Sequence, residues 1–514
     1  MNTIRNSDWT TVRAAHLLNR AGFGGSPRAI RELFEMGPEG AVSSLVNFDD
    51  ASVAPPAFIH EASRDLPHRR KMRDADEEER RKMQRVRRQS NQAWINQLRA
   101  WWFERMLTGA QPLQEKLTLF WHGHFATSFQ KVRSANAMYQ QNATLRQHAA
   151  GSFADLVVAV SKDPAMLFYL DGAQSREKSP NENYARELME LFTLGEGNYT
   201  EEDIGEAARA FTGWTVNRKT QTFHNVPHRH DGGIKNFMGK SGRFDGEEII
   251  RIILDQPAAA EFISRKLWSF FAYFDPEPQI VNDLAETLRK NDFQLRPVLK
   301  SIFLSPAFYS SRAGRTQIKS PSQWLIGSLK MLEAPLPEPG LCAYMTSSLG
   351  QALFEPPNVK GWEGGAAWIT TANLLHRYNL ASVIVEGGKS TSEVFGARGP
   401  GSKGIGRMFM QEPMTEKDGQ QDRRKRRREM RKLRTKISVS VMDPDKVLPD
   451  EMRTTRKQAR RHLQWRLFQS NLRPKDVQAF ESFFNELPEP QAWTGEEVRA
   501  VVHAMMSTPQ YQLT

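Results

Sequence analysis

Apolar residues along this chain recur mainly at helical spacing. In residues 91–109 they follow an i, i+4, i+7 pattern and the stretch ends at Gly109, which predicts an amphipathic helix. Three later stretches, 156–171, 299–311 and 499–513, share one order: an apolar helix, then Ser, Thr or Asp before Pro, then an aromatic residue. Because proline fits the first turn of a following helix, each of these stretches predicts a helix-turn-helix joint.

The alternation that is typical of strands is scarce, and only the Gly-rich region 217–246 favours a short hairpin. We therefore predict a mainly α fold: a large helical domain built of helix-turn-helix pairs with long Gly/Pro-rich loops and at most a small hairpin. We expect three parts. Residues 1–400 form the main helical domain, 401–469 a basic insertion that is partly disordered or helical, and 470–514 C-terminal helices that pack back on the main domain.

The chain has 514 residues, of which 39% are hydrophobic, and this is enough for a sizeable core. No apolar run approaches the roughly 18 to 20 residues of a membrane span, so we expect no membrane insertion. The N-terminus lacks the apolar core of a secretory signal, which predicts a cytoplasmic protein as written, or a periplasmic or secreted one if a leader was removed. The single cysteine, Cys342, excludes an internal disulfide and a thiolate zinc cluster.

The formal net charge of +12 favours anionic partners, and the excess is concentrated in one region. Residues 422–436 carry ten basic and two acidic side chains, and residues 453–466 continue the pattern. The charges at 68–89 instead alternate in sign, as on a solvated helix. The later basic block is a candidate binding segment for a polyanion such as nucleic acid or an acidic polysaccharide. A solvated charge run is the alternative interpretation.

Two histidines, His122 and His124, lie either side of Gly123 at the end of a predicted amphipathic helix. If the helix continues through Gly123, His124 faces the core and His122 projects away from it, so one metal could not bind both. If Gly123 interrupts the helix, the two imidazoles converge in a loop, as a shared metal requires. Both remain candidate metal ligands, and His124 is also a candidate proton-transfer residue; packing or capping is the alternative.

The stretch 179–214 predicts a pair of helices. Ser179, followed by proline and then Glu182, matches a capping box for a first helix that ends at Gly195, and Thr200 begins the second in the same way.

Glu187 is predicted at the edge of the buried face of the first of these helices, while Arg186 and Glu190 point more outward. A carboxylate at such a boundary is a candidate general base or metal ligand, so Glu187 is a candidate catalytic residue. It can equally form an ion pair with an arginine from another helix. Arg186 is a candidate substrate-binding residue.

Residues 223–246 contain three histidines, which Asp231 and paired glycines follow directly. Imidazole and carboxylate groups in a turn suit zinc, manganese or iron, so His230 and Asp231 are candidate ligands of a divalent metal. Lys235 is a candidate contact for a phosphate or sulfate group of the substrate. Alternatively, the stretch is a turn whose aspartate bonds its own backbone.

Prolines and glycines in residues 354–369 predict a long, shaped loop, which Thr370 or Thr371 ends by capping a helix. Trp362 and Trp368 in this loop are candidate substrate-binding residues that would stack on a sugar ring or a base. They can also attach the loop to the core.

Taken together, these stretches resemble a bacterial family catalogued as domain of unknown function 1800. The segments that carry the resemblance run in order through nearly the whole chain: HLLNRAGFG (16–24), FWHGHFATS (120–128), DPAMLFYLD (163–171), PNENYARELMELFTLGEGNYTEEDIGEAARAFTGW (180–214), HDGGIKNFMG (230–239) and PPNVKGWEGGAAWI (356–369).

The resemblance implies a helical protein but supplies no activity. Genes of this family often lie beside those of a second one, domain of unknown function 1501, which is similar to sulfatase and phosphatase folds. That association implies sulfated or phosphorylated, extracellular material and a sulfatase-like partner protein. The chain departs from the family in two ways: many relatives are exported, whereas no leader is visible here, and the arginine-rich block 422–466 is an addition.

Whether the protein is an enzyme stays open at this point, and three hypotheses follow. The first is a metal-dependent enzyme acting on an anionic (sulfated or phosphorylated) or carbohydrate substrate, in which the candidate histidines and carboxylates meet around a divalent Zn, Mn or Fe ion. The second is a non-catalytic helical partner of the sulfatase-like protein. The third is a polyanion-binding scaffold that uses the basic block.

Overall fold

The structure is a computed structural model, and it describes residues 2–49, 53–59, 74–217, 220–337, 339–387 and 442–514. The helices of its N-terminal half are α1 Thr11–Ala21, α2 Pro27–Glu35, α3 Gly37–Val46, α4 Glu77–Thr108, α5 Pro112–His124, α6 Phe129–Val132, α7 Ala135–Gln147, α8 Phe153–Ser161, α9 Pro164–Tyr169, α10 Glu182–Glu187 and α11 Glu201–Ala210. Those of its C-terminal half are α12 Gly246–Asp255, α13 Pro257–Phe271, α14 Pro278–Lys290, α15 Leu295–Leu304, α16 Pro321–Leu332, α17 Pro339–Ser348, α18 Thr371–Glu386, α19 Pro444–Val447, α20 Arg456–Phe468, α21 Pro474–Asn485 and α22 Gly495–Met506. The predicted mainly α fold is confirmed.

Strands are confined, in the described residues, to two antiparallel hairpins. In the first, β1 Trp214–Asn217 pairs with β2 Thr222–Asn225; in the second, β3 Lys235–Phe237 pairs with β4 Lys240–Gly242. The region for which one hairpin was predicted therefore holds two, joined by a short turn.

The helix boundaries follow the local signals of the sequence. The side chain of Asp163 accepts a hydrogen bond from the backbone N–H of Met166, and Pro164 starts α9, as the first predicted joint requires. In the other two joints the second element is a 3₁₀ turn, Pro306–Tyr309 and Pro509–Gln512. The long helix α4 ends at Gly109 as predicted.

One predicted cap is wrong. Helix α10 begins at Glu182, and the side chain of Asn181 accepts a hydrogen bond from the backbone N–H of Asn183, so Asn181 takes the capping place that was predicted for Ser179. Thr200 and Asp203 form the predicted capping box of α11.

Two groups of buried apolar side chains make up the core. The first is formed mainly by α1–α3 and α8–α15, and the second by α4 together with α16–α22. Helix α5 contributes to both, with Leu117 and Trp121 in the first group and Leu119 in the second. The predicted functional histidines His122 and His124 therefore lie where the two halves of the core meet.

The C-terminal segments are part of the second core. Of the predicted insertion, residues 401–441 lie outside the described residues, whereas residues 442–469 bury side chains such as Val447 and Leu463 in this core. Further along, α22 packs against α18. Within the described residues, no helix combines the length and apolar character that crossing a membrane requires.

Candidate functional site

Helix α5 continues through Gly123, which decides between the two alternatives for the histidine pair. His122 is buried, and its Nε2 accepts a hydrogen bond from the backbone N–H of Phe354 at 3.0 Å. Its ring packs against that of Trp102, with the centroids 5.4 Å apart, and burial lowers the pKa of His122 to about 3. His122 is thus a neutral side chain that anchors the loop after Leu353.

The helix that carries Glu187 changes its geometry directly after this residue. Helix α10 runs directly into a π-helix, Leu188–Thr193, and the N–H of Leu194 donates to the carbonyl of Met189, five residues earlier. Single π turns are frequent at functional sites, and the last carbonyls of any helix need donors from elsewhere.

Two side chains supply those donors. His124 Nε2 lies 3.0 Å from the carbonyl oxygen of Phe192, so this nitrogen carries the proton and donates. Lys266 Nζ donates to the carbonyl of Leu191 at 3.2 Å and to His124 Nδ1 at 3.3 Å. Burial and the charge of Lys266 hold the pKa of His124 well below its usual range. The tautomer of His124 is fixed by these two contacts, and the imidazole stays neutral.

Three phenylalanine rings lie near Lys266 and His124. On α13, Phe262, Lys266 and Phe270 lie at i, i+4, i+8 and so share one face. The Nζ of Lys266 is 4.7 Å from the ring centroid of Phe262, and the ring of Phe270 is 4.8 Å from that of Phe120. Burial lowers the pKa of Lys266 to about 8. We call His124, Lys266 and these three phenylalanines the Lys266 cluster.

The loop of residues 354–369 lies against the end of α5. Gly361 has a φ of +79°, and a Cβ there would overlap the carbonyl oxygen of Gly123, so only glycine allows this approach. Trp362 is half-buried, with its ring centroid 5.5 Å from that of His122. Trp368 is buried. Thr370 caps α18, as predicted. Both tryptophans therefore attach the loop to the body, and Trp362 keeps part of its ring exposed.

Glu187, the last residue of α10, is half-buried and forms no hydrogen bond or ion pair with any residue that the structure describes. Burial and the nearby Glu190 raise the pKa of Glu187, and Lys360 and Arg186 oppose them. Burial and the charge of Glu187 also raise the pKa of Tyr169. An unpaired carboxyl is thus held next to a second carboxyl and a phenol.

Glu190 has partners of its own. It accepts a hydrogen bond from the hydroxyl of Tyr199 at 3.1 Å, and Lys360 Nζ lies 4.0 Å from it. Burial and this hydrogen bond raise the pKa of Tyr199 to about 12. We call Tyr169, Glu187, Glu190, Tyr199 and Lys360 the Glu187 cluster. The π-helix joins it to the Lys266 cluster, because Glu187 precedes that helix and Lys266 binds its last turn.

Arg186, predicted to bind substrate, is engaged by a carboxylate outside this cluster. Its guanidinium donates two hydrogen bonds of 2.7 Å to the carboxylate of Glu201 on α11, and this pairing raises its pKa. The pair is exposed, so its contribution to stability is small.

The other predicted residues lie apart, in the turn between the two hairpins. Asp231 Oδ2 accepts from Arg209 Nε at 2.7 Å, and Asp231 Oδ1 accepts from the N–H of Gly233 at 2.8 Å. Lys235 is fully buried and donates to the carbonyls of Asp231 and Gly233. His230 Nδ1 lies 3.0 Å from the carbonyl of Thr212 and so donates to it. The structure here is a turn whose aspartate bonds its own backbone.

In the described part of the chain, no three His, Cys, Asp or Glu side chains are grouped so that they could hold a metal ion. His122, His124, His230 and Asp231 do not come together as one ligand set, and each is engaged by its own neighbours. The divalent metal and the ligand roles of these residues stay predictions. Stoichiometric metal in the purified protein would support them.

Lys266, Tyr169 and Lys360 were not predicted as site residues. Lys266 lies in an apolar stretch that reads as a core helix, and its only local signal is a lysine between phenylalanines four residues away on each side. Tyr169 and Lys360 acquire their position from the packing of α9 and of the loop.

Comparison with known proteins identifies a family but no activity. The family model described as protein of unknown function (DUF1800) matches residues 16–513. No curated protein and no solved structure matches the chain.

Proposed function

Because the chain belongs to DUF1800, a family of proteins of unknown function, we propose a function from the geometry of the site alone. We infer that the protein is an enzyme that uses general acid–base catalysis at Glu187. Its substrate is a carbohydrate that carries an anionic, sulfated or phosphorylated, group.

The carboxyl of Glu187 is the observation that supports this proposal most strongly. A general acid or base works best when its pKa is close to the operating pH, and burial beside a second carboxyl raises a carboxyl pKa toward that range. Glu187 combines a raised pKa with the absence of any hydrogen-bonding or ion-pairing partner among the described residues.

The surroundings of Glu187 support the substrate class. Trp362 and Tyr169 are half-buried aromatic residues, whose exposed faces suit the apolar face of a sugar ring. Lys360 lies two residues before Trp362 on the same loop, and its side chain is 64% exposed. Its Nζ lies 4.0 Å from Glu190 and 3.9 Å from Glu196, and an exposed lysine on the same loop as Trp362 suits a sugar with a sulfate or phosphate substituent.

The test is turnover of a panel of sulfated, phosphorylated and unsubstituted oligosaccharides by the full chain. Glu187→Gln should lower kcat by about 10² or more, because it removes the proton-transfer group and keeps the size of the side chain. Glu182→Gln, an exposed change at the start of the same helix, is the matched control. Turnover by E187Q at the rate of the unmodified protein would overturn the proposal.

A second candidate function, polyanion binding, is favoured by a surface cavity on α20. Most arginines of residues 453–466 form ion pairs; Arg460 with Glu481 and Arg466 with Glu333 are examples. Lys457 and Arg461 form none with described residues, and they line a cavity of about 550 Å³. Residues 422–436 lie outside the described residues.

Its test is the salt dependence of binding to an acidic polysaccharide or nucleic acid. Replacing both Lys457 and Arg461 by Gln should reduce the slope of log K against log salt by about 1 to 2. The same replacement of the exposed Arg31 and Arg265 should not change it. An unchanged slope in the first variant would reject this surface. The sulfatase-like partner stays a prediction, for which co-purification is the test.

A further inference from the structure

Lys266 is a half-buried cation whose polar partners are neutral. Its Nζ donates to the carbonyl of Leu191 and to His124 Nδ1, and it lies 4.7 Å from the ring centroid of Phe262. No carboxylate lies within ion-pair distance of Lys266 among the residues that the structure describes. Two of the three N–H groups of its ammonium are used.

Removing a charge from water without a counter-ion is unfavourable. The negative end of the π-helix offsets part of this cost at Lys266, which donates to one of its last carbonyls. The rest is offset when an anion binds to the remaining N–H group, and the neighbouring ring of Phe262 strengthens such an interaction by excluding water.

Other cations near the predicted site residues do not offer the same arrangement. Lys235 is fully buried and held by backbone carbonyls, and Lys116 is 4% exposed and bound to Gln323. Arg186 is neutralised by Glu201. Lys266 differs from all three because it is only half-buried, has no carboxylate partner among the described residues, and donates to the π-helix that follows Glu187.

We propose that Lys266 binds a tetrahedral oxyanion, the sulfate or phosphate group of the substrate, beside His124 and the ring of Phe262. Trp362, which packs on the residues just before His124, lies at the same end of α5. The inference rests on the proposed function, since it assigns the anionic group of that substrate to a residue of the adjoining cluster. The anion contact predicted for Lys235 is thereby assigned to a different lysine.

The experiment measures binding of inorganic sulfate and of inorganic phosphate to the full chain by calorimetry, at constant ionic strength with chloride as the balancing anion. Lys266→Gln should weaken binding about tenfold or more, the loss expected for one charge-assisted hydrogen bond. Lys266→Arg keeps the positive charge, so this variant should retain most of the anion binding. The preferred ion of the two indicates whether the substituent is a sulfate or a phosphate.

Lys330→Gln is the matched control. Lys330 on α16 is also half-buried, its pKa is also lowered to about 8 by burial, and it forms no ion pair with described residues. Its replacement should leave anion binding unchanged.

A labelling experiment on the unmodified protein covers the case in which Lys266→Gln does not fold. Bound sulfate or phosphate should slow reductive methylation of Lys266 and not of Lys330.

The inference is overturned if neither ion binds, if K266Q binds as tightly as the unmodified protein, or if neither ion protects Lys266 from methylation. Glu187→Gln separates this inference from the proposed function, because it should abolish turnover and leave anion binding intact. Anion binding without any Glu187-dependent turnover would therefore reject the proposed function and keep the anion site.

Discussion

Replacing Gly361 by alanine tests whether the loop of residues 354–369 is held against α5 as the structure shows. At the φ of +79° found for Gly361, the backbone strain of any other residue destabilises the folded protein by about 1 to 2 kcal/mol. Because a Cβ would overlap the Gly123 carbonyl, the loop must also move. That movement removes the contact of Trp362 with His122, about 0.5 to 1.5 kcal/mol, and loosens the hydrogen bond from Phe354, about 1 kcal/mol.

The expected loss of unfolding free energy is about 2.5 to 4.5 kcal/mol in total, measured by urea unfolding with circular dichroism and tryptophan fluorescence. Gly197→Ala is the matched control, since Gly197 has nearly the same φ of +83° but nothing within 4 Å of a Cβ. That variant should be destabilised only by the backbone strain, about 1 to 2 kcal/mol. Equal destabilisation by the two substitutions would refute the close approach of the loop to Gly123.

Three further predictions concern the charged groups. Glu115→Gln should destabilise the protein by about 3 to 5 kcal/mol in urea unfolding, since it leaves the buried Arg146 without its carboxylate; a loss below about 1 kcal/mol would contradict this. Asp231→Asn should lower the free energy of unfolding by about 1 to 3 kcal/mol, because it weakens the contact with Arg209, and it should leave turnover unchanged. Lost turnover with unchanged stability would instead place Asp231 in the site. Glu187→Gln should raise the melting temperature at pH 8, because the raised pKa makes ionised Glu187 unfavourable in the folded state. That gain should disappear as the pH falls through the raised pKa toward 4.5, and a gain that is constant with pH would exclude titration of Glu187 as its cause.

Local signals in the sequence predicted much of the helical framework. The caps at Thr200 and Thr370 and the end of α4 at Gly109 depend on residues close in the chain, so a single sequence contains the necessary information. The cap at Ser179 was wrong because Asn181 offers an equally good acceptor two residues later. At Gly123, the sequence left two alternatives, and only the packing of the helix decided between them.

The candidate site was less predictable, because its groups come from distant segments. Glu187 was selected for its position at the edge of an apolar face, and its half-burial agrees with that position. The change to a π-helix after Glu187 has no simple signature in the sequence. The partners of Lys266 come from α5 and the π-helix, and Lys360 reaches Glu190 only through the folded loop. Such contacts depend on tertiary structure, which periodicity does not describe.

The central claim is that Glu187 is a carboxyl kept ready for proton transfer, and its titration tests this most directly. Infrared difference spectra between the unmodified protein and Glu187→Gln, recorded across pH, isolate the bands of this one side chain. The account predicts a carboxyl that titrates with a midpoint above the 4.5 of an ordinary glutamate. A midpoint at or below 4.5 would show a glutamate stabilised in its ionised form, and it would contradict the proposed role.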